Sequence, residues 1–316
     1  MPDASRAAGL AALADRALGA YLGLAIGDAL GATVEFMTPA EIARVHGVHR
    51  QVAGGGWLRL PPGRVTDDTT MSLALGDAIV RSGGWNLGAV AESFAAWLRA
   101  KPVDCGNTCR RGIRRYLADG SLAGPQNEGD AGNGALMRNL PVVLSTVADA
   151  DALAARSIEQ ARFTHHHPLS DAAVLAVGRM VRALLRGADT QECADLAARL
   201  VAEQPAFRFD PYPGRASGYV ADTVQTVLHF FFSHQCFEDA VTGAVNRGED
   251  ADTTGALVGM LAGARSGARS LPRHWLDRID RAVVRAITAQ TLALLAIGLE
   301  QTASPHPTLF SPGNRP

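Results

Sequence analysis

The sequence predicts an all-α, compact, multi-helix protein, and two observations support this fold class. Apolar residues recur at three- and four-residue spacing in many segments, and few segments alternate with a period of two. Helical spacing is clearest at 73–80, 90–98, 172–185, 224–232 and 257–264. Glycine and proline fall between such segments, as expected for the loops of a helical fold.

Composition predicts one domain. The chain has 316 residues, of which 47% are hydrophobic and 19% charged, as in folded proteins and unlike disordered ones. No low-complexity linker divides it, so we predict a single domain over residues 1–303. The proline-rich segment 304–316 is expected to be a flexible tail. The net charge of -1 gives no overall attraction to nucleic acid or to an anionic membrane.

Cytoplasmic localisation without membrane insertion is expected from the apolar segments and the cysteines. The first apolar stretch is interrupted by Asp15, Arg16 and Asp28, and the last one, 286–299, is short for a bilayer. Asp3 comes too early for a signal peptide. The four cysteines lack zinc-site spacing, and we expect them to be reduced thiols.

A glycine stripe with a spacing of four marks one face of the first predicted helix, at Gly19, Gly23, Gly27 and Gly31. Each glycine costs a helix about 1 kcal/mol relative to alanine. Close approach of another backbone along this face would explain the cost; the alternative is a helix that is merely weak. Asp28 and Glu35 lie at the end of the stripe, where they can reach a central cleft.

Two similar segments, 66–70 (Thr-Asp-Asp-Thr-Thr) and 250–254 (Asp-Ala-Asp-Thr-Thr), each precede a helical apolar pattern. Asp and Thr at helix starts ordinarily cap the helix, and capping is the alternative interpretation. One capping oxygen suffices, however, whereas each segment concentrates two carboxylates and several hydroxyls. Hard divalent cations prefer such oxygens, so the pattern favours two metals, about 3.5–4 Å apart, between the segments.

Two further segments carry weaker signals. The glycine-rich segment 127–135 contains two acids and is either a phosphate- or ribose-binding turn or an ordinary surface loop. The segment 104–108 precedes a helix with four arginines. Its Asp104 is either an N-cap before a solvated basic face or a partner for a substrate cation.

Three consecutive histidines, 165–167, do not have the spacing of a zinc site, because sequence neighbours cannot easily face one ion. We expect one of them to point inward toward a ligand and the others to be solvated. The chain also lacks a G-x-S-x-G nucleophile elbow, a P-loop and a dinucleotide-binding fingerprint.

Taken together and in order, the motifs at 19–31, 66–69 and 250–254 resemble the ADP-ribosylglycohydrolase family over nearly the whole chain. Segments 54–60, 102–116 and 129–135 resemble more closely the members of this family that reactivate dinitrogenase reductase. The resemblance implies an all-α ADP-ribosylglycohydrolase-like domain with a binuclear metal cleft.

The resemblance also implies a cofactor, two Mn²⁺ or Mg²⁺ ions, and a set of ligands. The implied ligands are Thr66, Asp67, Asp68, Asp130, Asp250, Asp252 and Thr253. Asp252 is the best candidate to bridge the metals.

Catalytic and substrate-binding roles follow from the same resemblance. Asp104 would pair with the guanidinium of a modified arginine, and Glu35 would lie near the reacting ribose. Our own hypothesis for the mechanism is that Asp67 or Asp68 takes the proton of a metal-activated water. The implied substrate contacts are Asn107 for the sugar, Glu128, Gly129, Gly132 and Gly134 along the ADP-ribose channel, and His165 and Tyr212 at the nucleotide end.

The implied activity is hydrolysis of ADP-ribose from a modified arginine of a target protein, with dinitrogenase reductase as the expected partner. Family resemblance adds a PII signalling protein and an ammonium channel as regulatory partners, the latter giving a route to membrane association. Two alternatives remain open: hydrolysis of another linkage, to serine or a small molecule, and a non-catalytic module that binds ADP-ribose.

Overall fold

The computed structural model describes the backbone of residues 2–300 and side chains from residue 7 onward; the predicted tail, 304–316, lies outside the described residues. In this part of the chain the α-helices are α1 (Pro2–Gly31), α2 (Pro39–His46), α3 (Asp67–Arg81), α4 (Leu87–Arg99), α5 (Asn107–Asp119), α6 (Leu140–Ser145), α7 (Ala150–Arg162), α8 (Pro168–Leu185), α9 (Thr190–Glu203), α10 (Val220–Ser233), α11 (Phe237–Val245), α12 (Ala251–Ser266), α13 (Arg273–Leu276) and α14 (Arg281–Glu300).

The all-α prediction is confirmed, since residues 2–300 contain no β-strand and only two isolated bridges. The five segments with clear helical spacing lie within α3, α4, α8, α10 and α12. Short 3₁₀ turns occur in the loops, one of them at Glu128–Asp130.

Helices α1 and α12 form the centre of the fold and pack backbone to backbone. The glycines of α1 face Gly263, Gly259, Gly255 and Ala251 of α12. A Cβ atom added at Gly27 would lie 2.0 Å from the carbonyl oxygen of Gly255, and one at Gly23 would lie 2.2 Å from that of Gly259. No side chain fits there, so the close-approach prediction is confirmed. This contact also fixes the end of α1 beside the start of α12.

Two helices in the described region, α1 and α14, are long and apolar enough to cross a membrane by length and composition alone. At 20 residues, α14 is longer than the apolar run 286–299 suggested. Both pack in the protein: α1 against α12, and α14 against α3 and α6. The Gln290 side chain of α14 accepts a hydrogen bond from Tyr21 at 2.7 Å and donates one to Asp77 at 2.7 Å. Packing in the protein therefore involves part of the apolar surface of each helix.

Candidate active site

The start of α3 is capped by Asp28 of α1 rather than by its own N-cap residue. Thr66 occupies the N-cap position, but its side chain makes no capping bond. Asp28 instead accepts hydrogen bonds from the backbone N–H of Thr66 at 2.9 Å and of Thr69 at 3.1 Å, and from the Thr69 hydroxyl at 2.5 Å. The carboxylates of Asp67 and Asp68 in the first turn of α3 are therefore not needed to cap the helix. The sequence analysis placed Asp28 near a central cleft but did not predict that it caps α3.

The two Asp/Thr segments meet in the folded chain. The Thr66 hydroxyl lies 3.3 Å from Oδ2 of Asp252, and the Thr253 hydroxyl lies 3.2 Å from Oδ2 of Asp68. Asp250, the N-cap residue of α12, makes no side-chain capping bond either; its carboxylate accepts a hydrogen bond from the Asn133 amide. The capping interpretation is therefore wrong for both segments, and the prediction that they converge is confirmed.

These carboxylates are buried close together, and burial disfavours their charged form. Desolvation, reinforced by neighbouring carboxylates, raises the pKa of Asp67 to about 7 and that of Asp68 well above its ordinary value. Desolvation likewise raises the pKa of Asp250 to about 6, and desolvation together with Glu35 and Asp68 raises that of Asp252 well above normal. The Oδ1 atom of Asp68 is buried without a hydrogen-bond partner. Such a cluster fits divalent cations, which cancel this repulsion.

Glu35 belongs to the same cluster. Its carboxylate and those of Asp250 and Asp252 each place an oxygen within 4.8 Å of the others, close enough to share a metal ion. The indole N–H of Trp57 donates to Oε2 of Glu35 at 2.5 Å. Burial, partly offset by this hydrogen bond, raises the pKa of Glu35 to about 8. The sequence placed Glu35 near the ribose but gave no sign of Trp57.

A strained backbone crossing holds Glu35 next to Asp250. Phe36, which follows Glu35, has a positive φ angle of 62°, and Glu249, which precedes Asp250, has one of 51°. The N–H of Phe36 donates to the Glu249 carbonyl at 2.6 Å, and the N–H of Glu249 donates to the Met37 carbonyl at 2.9 Å. Non-glycine residues adopt this conformation at a cost, which is found most often at functional sites.

A cleft of about 450 Å³ opens over the carboxylates. Most of the predicted site residues line it: Glu35, Asp67, Asp104, Asn107, Gly132, Gly134, His165, Asp250, Asp252 and Thr253. Thr66 and Asp68 are fully buried beside it. Its wall also contains Phe36 and Trp57, to which the sequence analysis gave no role, and Asn133, which lies within the predicted binding segment 127–135. The volume is in the range of small-molecule sites.

Four other predicted site residues belong neither to the cleft lining nor to the buried pair beside it. Asp130 is buried and pairs with Arg111. Glu128 and Gly129 are exposed. Oε2 of Glu128 lies 3.4 Å from Nε2 of His167. Tyr212 stacks on His229, with ring centroids 4.4 Å apart. Their roles as metal ligand, channel wall and nucleotide contact stay predictions.

Two expectations about neighbouring segments are wrong. Asp104 is not an N-cap, because α5 begins at Asn107 with Gly106 as its N-cap, and the Asp104 carboxylate accepts the N–H of Cys105 at 2.7 Å. The histidines beside His165 are packed rather than fully solvated, since His167 is buried and His166 is only partly exposed. His166 bonds to the Gly124 carbonyl at 2.6 Å, and His167 caps α8 by accepting the N–H of Leu169 at 3.1 Å. The histidine segment is therefore packed into the protein.

The model of one protein family, ADP-ribosylglycohydrolase, matches residues 10–303 of this sequence. The chain belongs to this family. Membership agrees with the all-helical fold and with the ordered motifs that converge at the cleft.

Several bacterial ADP-ribosyl hydrolases are similar to this chain. The chain is 54% identical to "ADP-ribosyl-[dinitrogen reductase] glycohydrolase" of Rhodospirillum rubrum, over 90% of this chain and 96% of the relative. It is 33% identical to "ADP-ribosylarginine hydrolase Tri1" of Serratia proteamaculans, over 84% and 75% of the two chains. A solved structure titled "ADP-ribosylglycohydrolase-related protein complex" superposes with a TM-score of 0.79 at 34% identity, covering 90% of this chain and 99% of the other.

Proposed function

We propose that this chain hydrolyses the N-glycosidic bond between ADP-ribose and a modified arginine of a protein, and that its target is dinitrogenase reductase. The convergence of Thr66 and Asp68 with Asp252 and Thr253 carries the proposal, because it builds an oxygen-rich acidic pocket at the base of a cleft. Similarity to the Serratia ADP-ribosylarginine hydrolase supports arginine-linked ADP-ribose as the substrate class, and similarity to the Rhodospirillum glycohydrolase supports dinitrogenase reductase as the target.

The acidic cluster is suited to hold two Mn²⁺ or Mg²⁺ ions. The unpartnered Oδ1 of Asp68 and the raised pKa values of its neighbours fit cations better than an empty, protonated pocket. The proposed ligands are Thr66, Asp67, Asp68, Asp250, Asp252 and Thr253, with Glu35 close enough to join them and Asp130 retained from the family resemblance. When bound, such ions bind ribose oxygens and make a neighbouring water more acidic.

Bound cations would lower the raised pKa of Glu35, and its carboxylate could then take a proton from the attacking water. Trp57 binds its Oε2 atom, and the Glu35 side chain lines the cleft. Asp68 lies fully buried behind the cleft wall, so this role suits Glu35 or Asp67 better. Cleavage of a glycosidic bond develops positive charge on the sugar, and the surrounding carboxylates stabilise that charge.

Asp104 is placed to bind the leaving guanidinium. It lines the cleft, is only partly buried, and lies near enough to Glu35 and Asp67 to raise their pKa values. The Cys105 N–H fixes its Oδ1 atom. A carboxylate and the planar guanidinium fork form strong charge-assisted hydrogen bonds.

The cellular setting is proposed on resemblance alone. It comprises a cytoplasmic enzyme whose regulatory partners are a PII signalling protein and an ammonium channel, with membrane association through such a partner. No direct membrane insertion and no nucleic-acid partner are proposed.

Release of labelled ADP-ribose from three substrates tests the function. ADP-ribosylated dinitrogenase reductase, an arginine-linked peptide and a serine-linked peptide are compared with Mn²⁺, Mg²⁺ or chelator. We expect release from both arginine-linked substrates, and loss of release with chelator and in Asp252→Ala. Asp277→Ala, at an exposed carboxylate outside the cleft, is the control and should remain active. Preference for serine would contradict the proposed linkage, and binding without turnover of any substrate would favour the non-catalytic module.

A further inference from the structure

A buried arginine lies directly behind the cleft wall. Arg138 is completely buried, and its guanidinium lies over the Phe94 ring, 4.7 Å from the centroid. It donates to Gln160 at 2.9 Å and to the Thr164 hydroxyl at 2.7 Å. Within the described residues, no carboxylate lies within ion-pair distance of it. Burying an unpaired charge is costly, so this arrangement calls for a function.

The Thr164 hydroxyl connects Arg138 to His165. A guanidinium can only donate hydrogen bonds, so the Thr164 oxygen accepts from Arg138. The same oxygen lies 2.7 Å from Nδ1 of His165. Among the described residues the Thr164 hydroxyl has no other acceptor within hydrogen-bond distance, so its hydrogen is satisfied only if it is donated to Nδ1 of His165.

His165 is neutral in this environment. Complete burial, followed by the positive charges of Arg138 and Arg111, lowers its pKa well below the ordinary value. A neutral imidazole that accepts at Nδ1 carries its single hydrogen on Nε2.

The Nε2 side of the ring faces the cleft through a glycine cradle. A Cβ atom at Gly132 would lie 3.2 Å from Nε2, and one at Gly134 would lie 2.9 Å from Cε1 of His165 and 2.7 Å from the Cys109 sulfur. Both glycines and His165 line the cleft. In the described part of the chain, Nε2 has no hydrogen-bond partner, whereas Nδ1 has one. The ring is therefore held in place with one free N–H.

We propose that Arg138 and Thr164 are positioning residues that hold His165 in its neutral Nε2–H tautomer, so that it presents one hydrogen-bond donor to an acceptor oxygen of bound ADP-ribose. This inference rests on the proposed function for the identity of the ligand. The tautomer itself is a property of the ligand-free protein.

Nuclear magnetic resonance of the histidine ring tests the tautomer without any activity. The full-length protein is labelled with ¹³C and ¹⁵N at histidine and studied with Mg²⁺ at neutral pH. The His165 signals are assigned by their disappearance in His165→Gln. We expect a neutral ring with hydrogen on Nε2. A ring with hydrogen on Nδ1, or a charged ring, would overturn the proposal.

Two substitutions at Thr164 then test the connection. Thr164→Val keeps the shape but removes the hydroxyl, and Thr164→Ser keeps the hydroxyl. Calorimetry with ADP-ribose should show binding about 5- to 10-fold weaker for Val and within about 2-fold of the parent for Ser, as expected for one lost hydrogen bond. The His165 ring signals should shift in Val only. Parent-like ADP-ribose binding and ring signals in Thr164→Val would contradict the connection from Arg138 through Thr164 to His165. This result does not depend on whether the protein hydrolyses arginine-linked substrates.

Discussion

The Thr253 hydroxyl donates to Oδ2 of Asp68 at 3.2 Å, joining two helix starts that are 185 residues apart in sequence. The contact exists because the glycine faces of α1 and α12 let their backbones touch, and because Asp28 at the end of α1 binds the start of α3. Packing and active-site assembly therefore depend on the same helices.

The glycine contact can be tested with alanine at two positions of α1. Gly27→Ala should destabilise the protein by about 3 kcal/mol, since its Cβ would lie 2.0 Å from the Gly255 carbonyl oxygen. Gly9→Ala is the matched control: nothing lies within 4 Å of its added Cβ, and it should be neutral or stabilising by up to about 1 kcal/mol. Urea unfolding measures both. Equal stabilities for the two variants would contradict the contact.

The hydrogen bond from Trp57 to Glu35 should matter for turnover. Trp57→Phe removes the indole donor and should lower kcat about 10-fold, the usual effect of losing one hydrogen bond to a charged group. Trp85→Phe is the control, because Trp85 donates to Glu159 at 2.6 Å outside the cleft. Steady-state kinetics on arginine-linked substrate distinguish them, and a Trp57→Phe enzyme as fast as the Trp85→Phe enzyme would argue against Glu35 as a catalytic group.

Asp104 should contribute to catalysis much more than to folding. Asp104→Asn removes the charge that pairs with guanidinium and should lower kcat/KM about 10- to 100-fold on arginine-linked substrate. Its free energy of unfolding should change by no more than about 0.5 kcal/mol, because the side chain is only partly buried. Asp119→Asn is the control at an exposed carboxylate that also accepts a backbone N–H. Undiminished activity in Asp104→Asn would remove Asp104 from the site.

The metal-free protein should lose stability as pH rises. Burial raises the pKa of Asp250 to about 6 and of Asp67 to about 7, so the folded state binds protons that the unfolded chain has released above about pH 4. The stability that these groups confer is complete below that pH and is lost as pH rises through 6 to 7. In chelator, the Tm of the parent should fall between pH 5 and pH 8 relative to Asp67→Asn, and saturating Mg²⁺ should remove this fall in the parent. A parent Tm that rises relative to Asp67→Asn would contradict this.

Sequence patterns predicted the helical fold, the close glycine contact and the meeting of the two Asp/Thr segments, because each leaves a regular local signature. The four-residue glycine spacing of α1, for example, indicates that another backbone packs against this face, and the backbone of α12 does so. The partners that orient the site left no such signature. Asn133 at Asp250 and Arg138 behind His165 depend on tertiary contacts between distant loops and helices, which spacing along the chain does not encode.

Residues assigned by resemblance rather than by local pattern gave a mixed result. Asp104 and Asn107 line the cleft, whereas Glu128 lies exposed and Tyr212 packs against His229. A glycine-rich loop predicts flexibility at 127–135 but not which of its residues turn inward; Gly132 and Gly134 do so because the His165 ring packs on them.

The central claim, that the starts of α3 and α12 hold two divalent cations, is tested most directly by anomalous diffraction from crystals grown with Mn²⁺. The account predicts two manganese peaks about 3.5–4 Å apart, in contact with Asp67 or Asp68 on one side and Asp252 on the other. Strong diffraction with no manganese peak between these helix starts, at saturating Mn²⁺, would contradict it.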